Sequence, residues 1–107
     1  MKDKNILQLE SDFLKTLAQP TRLKILYFIK DGEKCACKII PEMKEEQSNV
    51  SRHLTLLREQ GIVEARKEGV SVYYKIKEMR VFSLLSLVDE IVKAQIKEKA
   101  KLMKILR

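Results

Sequence analysis

The 107 residues contain one histidine, two cysteines, two prolines and three glycines, and their longest apolar runs are far short of a membrane span. One histidine excludes by count any zinc site built from several imidazoles. With so few glycines there is no phosphate-cradling loop, and no nucleophile with a base or paired general acid and base stands out, so an enzyme is not expected. The opening stretch MKDKNILQLESDF is broken by Asp3, Glu10 and Asp12, and it has neither an apolar signal core nor a small-residue cleavage site. A cytoplasmic protein with no membrane partner is the expectation, and there a cysteine pair is more often reduced, reactive or metal-bound than a structural disulfide. Internal repeats, low-complexity tracts and linkers are absent as well.

What the chain does have is charge and apolar surface. Hydrophobic residues make up 45% and charged residues 35%, enough apolar material to offset chain entropy in one small domain covering 1–107. A domain this small buries a modest fraction of its surface, which makes a second copy a natural source of further burial. Twenty-two Lys and Arg against 15 Asp and Glu leave a net charge of +7, and a dimer would double it. Such a field attracts polyanions, although a basic surface also serves solubility alone.

Periodicity then divides the chain. Ile6, Leu9, Phe13 and Leu17 recur at helical spacing until Ala18-Gln19-Pro20. Pro20 suits the first turn of a second helix, whose Leu23, Ile25, Leu26, Phe28 and Ile29 give a broad apolar face ending at Asp31-Gly32. In EEQSNVSRHLTLLREQG, Val50, Leu54 and Leu57 form an inward stripe and Gly61 stops the helix. The other face carries Ser48, Ser51, Arg52, Thr55 and Arg58, short polar groups and arginines that suit base edges and phosphates. His53, beside Val50, Leu54 and Leu57, reads as a packed, hydrogen-bonded histidine at the edge of the inner face. IVEARK and VSVYYKI predict two strands around Glu68-Gly69, with Val70, Val72, Tyr74 and Ile76 on the buried side. From about Glu78 the chain is helical again, too apolar at first to face water and then rich in lysine. The expected fold is mainly α with a small β-hairpin, α-α-α-α-β-β-α, a winged helix-turn-helix. Helices 5–17 and 78–106 are left as the dimer surface, and 20–76 form the helix-turn-helix core and wing.

LAQPTRLKIL (Leu17 to Leu26), QSNVSRHLTLLREQGIV (Gln47 to Val63) and RKEGVSVYYKI (Arg66 to Ile76) together resemble the ArsR/SmtB winged-helix repressors over nearly the whole chain. The resemblance implies a homodimeric regulator that holds double-stranded operator DNA and releases it when a signal binds. Carried over residue by residue, it implies that Gln47, Ser48, Asn49, Ser51, Arg52 and Thr55 face DNA and that Lys67 and Gly69 lie at the wing tip. Two positions depart from the family pattern. Val70 stands where many members carry a basic residue, and Glu46 stands where Ser or Thr caps the recognition helix, so Ser48 is expected to share that cap.

Some members carry a Cys-x-Cys pair ahead of the recognition helix, and Cys35 and Cys37 match its spacing, which implies arsenite, antimonite or cadmium as an inducer with no resident cofactor required. Residues two apart in a regular helix point about 200° apart, so both sulfurs can meet one ion only outside regular helix. Pro41 is expected to delay the helix to Lys38 or Ile39, leaving both thiols in an extended or first-turn segment beside Lys34 and Lys38. Ile40 occupies the place of a third cysteine in arsenic-sensing members. At the last-helix zinc site Asp89 could match one ligand, but Ile91, Leu102 and Ile105 stand at the others. Three readings of the pair stay open: metal or metalloid sensor, thiol redox switch through a strained disulfide between the two neighbours or, easier on geometry, a mixed or inter-protomer one, and structural cysteines. The rival from another class is a small cytosolic thiol protein, a metal carrier or redox partner, using the fold for protein contacts.

Overall fold

Asp3 opens the first helix by accepting the backbone N–H of Asn5 at 2.8 Å, and α1 runs Lys4–Leu17. The computed structural model describes residues 3–106, so positions 1, 2 and 107 of the domain assigned to 1–107 lie outside the described residues. After Ala18 the side chain of Gln19 accepts the N–H of Arg22 at 2.8 Å, Pro20 takes the first helical position, and α2 spans Pro20–Ile29. A two-residue strand, β1 (Lys34–Cys35), leads directly into α3 (Ala36–Met43). Lys44 ends α3 in the left-handed conformation, φ 55°. Then come α4 (Gln47–Glu59), β2 (Val63–Glu68), β3 (Ser71–Ile76) and α5 (Val81–Ile105).

The hairpin gains a third strand that the sequence does not announce. The antiparallel order is β1-β3-β2, with Lys34 opposite Tyr74 and Cys35 opposite Tyr73 on one side of β3, and Val63 to Glu68 opposite Ile76 to Ser71 on the other. A strand of two residues has no alternation to read. The turn is also one residue later than the expected strand implied: Gly69 at φ 61° and Val70 form a two-residue loop with glycine first, and Val70 is 99% exposed rather than buried.

Ile25, Leu26 and Ile29 of α2, Ile39 and Met43 of α3, Val50, Leu54 and Leu57 of α4, and Ile62 and Val63 interlock as one core, closed by Leu17, Val81 and Leu85. Ile62 also ties the end of the hairpin back, its carbonyl accepting from the N–H groups of Lys77 and Glu78 at 2.9 and 3.1 Å. α2 is not apolar on every side, since Tyr27 stands half-exposed. α5 differs more. Only Val81 and Leu85 are buried; Leu84, Leu87, Val88, Ile91, Val92 and Ile96 face out, as do Ile6, Leu7, Leu9 and Leu14 of α1. The radius of gyration is 17.2 Å, whereas a compact chain of this length has about 13 Å.

Candidate nucleic-acid interface

Helix α4 is fixed from inside. Val50, Leu54 and Leu57 are 0–1% exposed in the core, so the helix cannot roll about its axis without opening a cavity. That anchoring turns Gln47, Ser48, Asn49, Ser51 and Arg52 to solvent together. Thr55 is half-buried, and its hydroxyl donates to the carbonyl of Ser51 at 3.0 Å.

Glu46 occupies the N-cap without a side-chain hydrogen bond to the helix, and only its carbonyl is engaged, by Asn49 and Val50 at 3.1 and 3.2 Å. The first N–H groups of α4 therefore point outward without a capping carboxylate or hydroxyl from that position, beside the polar side chains.

In the wing, Lys67 and Gly69 are exposed near the tip. Arg66 was not marked by sequence reasoning, yet it organises the outer half of the hairpin. Its Nε and Nη2 donate to the Glu33 carboxylate at 2.7–3.0 Å, its Nη1 to Glu68 at 2.8 Å, and its guanidinium lies 4.6 Å over the Tyr73 ring. The hydrogen bonds from Arg66 hold the Glu33 carboxyl below its ordinary range. Since Arg66 is neutralised by two carboxylates and Lys75 pairs with Glu64 at 3.2 Å, the positive charge left near the tip belongs to Lys67.

Behind the polar face sits a second group of residues. Arg22 donates from Nε to the carbonyl of Thr16 at 2.6 Å and from Nη2 towards that of Lys15 at 3.4 Å, and its Nη1 lies 3.0 Å from Nδ1 of His53. Thr21 donates its hydroxyl to Glu45, just ahead of α4. His53 is thus half-buried and hydrogen-bonded, as its flanking residues suggest. Burial and the adjacent Arg22 push its pKa below the ordinary 6.5, against a smaller opposing pull from Glu45.

Cys35 and Cys37 are brought together and joined as a disulfide within the chain, the strained near-neighbour alternative rather than the mixed or inter-protomer bond that is easier on geometry. The reason is local. Helix α3 starts at Ala36, earlier than Lys38 or Ile39, so Cys35 is its extended N-cap (ψ 141°) and Cys37 lies in the first turn, its N–H donating to Cys35 Sγ at 3.1 Å. Pro41 is carried in the second turn, where burial of Ile39 and Met43 outweighs the one lost hydrogen bond. Cys35 is buried and Cys37 exposed, while Ile40 packs partly against the core. Among the described residues no group of three or more His, Cys, Asp or Glu gathers to hold a metal ion.

An anchored helix with a polar outer face, preceded by two packed helices and flanked by a β-wing, defines a winged helix-turn-helix regulatory domain. The family described as bacterial regulatory protein, arsR family, matches residues 19–65. The chain is 44% identical over 82 residues to an uncharacterised HTH-type transcriptional regulator of Methanocaldococcus jannaschii, spanning 76% of this chain and 92% of that protein. It is 41% identical over 63 residues to the arsenical resistance operon repressor of Escherichia coli, spanning 58% of this chain and 54% of that one. The solution structure of a homodimeric winged helix-turn-helix DNA-binding domain from Mycobacterium bovis superposes with a TM-score of 0.75 at 29% identity, covering 92% of this chain and 93% of that one. The chain belongs to the arsR family of transcriptional regulators. Among the described residues no helix is long and apolar enough to cross a membrane.

Proposed function

We propose that the protein is a cytoplasmic, homodimeric repressor that inserts α4 of each protomer into successive major grooves of an inverted-repeat operator. Gln47, Ser48, Asn49, Ser51 and Arg52 would reach bases and phosphates, with Thr55 at the edge, and Lys67 and Gly69 would meet the flanking backbone or minor groove. The observation that carries this reading is the fixed outward face of α4, anchored by Val50, Leu54 and Leu57. The exposed apolar faces of α1 and α5 supply the dimer contact, in keeping with the homodimeric M. bovis domain. The test is titration of the protein's own upstream DNA against random DNA at physiological salt, for wild type and for Ser51→Ala/Arg52→Ala. Preference for the upstream fragment, lost in the double variant, is expected; equal affinity for both DNAs would sink the reading.

The cysteine pair is the second element of the proposal. Two sulfurs are too few to complete a trigonal or tetrahedral metal shell, so a metal at the pair would take its remaining ligands from outside this segment. The bonded pair favours oxidation as the signal. Both thiols lose a proton and one electron each to an oxidant, a peroxide or a small-molecule disulfide, and the S–S bond forms at the mouth of α3. DNA titrations with arsenite, antimonite, cadmium and an oxidant, on wild type and on Cys35→Ser/Cys37→Ser, separate the signals. Affinity unmoved by all of them in the wild type would make the cysteines structural.

A further inference from the structure

The group formed by Arg22, His53, Glu45, Thr21 and the end of α1 lies outside the DNA-facing surface, yet it joins three elements at once. Arg22 belongs to α2, takes the carbonyls of Lys15 and Thr16 at the end of α1, and reaches His53 on α4. Its contacts at 2.6 and 3.0 Å make it a strut between α1 and the helix that carries the polar face. Arginine has donors only, so the contact to His53 exists only while Nδ1 is unprotonated and accepts, with the ring proton on Nε2. We propose that Arg22 is a positioning residue for α4, that neutral His53 is the acceptor completing the strut, and that DNA affinity falls when His53 gains a proton. The inference rests on the DNA-binding reading above.

The charges around the ring are Arg22 from α2, Glu45 from the turn before α4 and Arg52 from α4 itself, while α1 offers Arg22 the carbonyls of Lys15 and Thr16. An imidazolium there would face a guanidinium across 3.0 Å with a second arginine nearby, and Glu45 relieves only part of that. Burial acts in the same direction as the arginines. The neutral ring is thus favoured by folding. The contribution is present above pH 6.5, the ordinary value, and it is lost as pH falls through the lowered one. The sign is diagnostic, because a positive charge merely added near DNA would strengthen binding.

Two measurements test this on the full-length protein. His53 is the sole histidine, so its ring signals in an NMR titration need no assignment. Arg22→Gln is expected to raise its pKa towards the ordinary value, and an imidazole that titrates identically in wild type and Arg22→Gln overturns the strut. The second measurement is operator affinity from pH 8 down through the midpoint that the NMR titration gives for the wild-type ring. Wild type is expected to weaken by about tenfold on acidification, the scale of a hydrogen bond to a charged group. His53→Asn, whose amide oxygen replaces Nδ1 as acceptor without titrating, is expected to bind well and independently of pH, and His53→Leu to bind poorly throughout. A wild-type affinity that rises or stays level on acidification, or a His53→Asn profile that follows the wild type, overturns the coupling to DNA. Absence of specific binding at every pH would instead bring down the DNA reading, with the NMR result still deciding the strut.

Discussion

Arg52 and Leu54 stand two places apart on α4 and face opposite ways, and the difference between them separates folding from the proposed recognition of DNA. Leu54 is 1% exposed amid the core, so Leu54→Ala is expected to destabilise the fold by about 2–5 kcal/mol in denaturant unfolding, through lost transfer energy and the cavity left behind. Arg52 is exposed, and Arg52→Ala is expected to leave unfolding unchanged within about 0.5 kcal/mol while weakening operator binding by about 1–3 kcal/mol. A loss of both properties in Arg52→Ala would mean that its side chain supports the helix instead. Much of this was legible from the i, i+4, i+7 stripe, which identifies Val50, Leu54 and Leu57 as core and puts the polar residues outside. The placement of His53 was legible for the same reason. Its partner was not: Arg22 lies 31 positions away on another helix, and an arginine in an amphipathic helix looks the same in sequence whether it is solvated or bonded to a histidine.

Among the elements, α4 begins with an omission. Glu46 at the N-cap provides no side-chain hydrogen bond, and no bond from Ser48 is seen to take its place. Glu46→Thr is therefore expected to stabilise the protein by about 0.5–1 kcal/mol in thermal or denaturant unfolding, because a hydroxyl there can accept an N–H from the first turn. No gain would indicate that the backbone at Glu46 cannot turn a side chain towards the helix. The helices and hairpin were readable because their patterns extend over several periods. The early start of α3 is not legible from Pro41 alone, because the burial of Ile39 and Met43 and the acceptor sulfur of Cys35 override it. The alternation of its neighbours points Val70 to a strand, whereas the positive φ of Gly69 moves the turn onto it.

For the whole molecule, the question is what covers α1 and α5. A radius of 17.2 Å and two helices with outward apolar residues describe a subunit rather than a finished globule. Charge placed on that face is expected to separate the protomers: Ile91→Glu should shift the sedimentation of the protein from dimer to monomer. The salt dependence of DNA binding should drop with it, since each phosphate contact contributes a slope of roughly −0.9 in log K against log salt and one protomer makes fewer contacts than two. A dimer that persists in Ile91→Glu would mean that this part of α5 lies outside the contact.

Strand β1 has one more consequence. Its two residues meet β3 about 40 positions further along, so the pairing closes a loop that contains α3, α4 and β2. Closing so long a loop carries an entropic cost that two residue pairs cannot offset by themselves. The packed helices in between hold the two ends together, so this pairing depends on the core they form. The segment that carries the sulfurs therefore acts as a clasp on a finished core, fastened on one side to α3 and on the other to the wing.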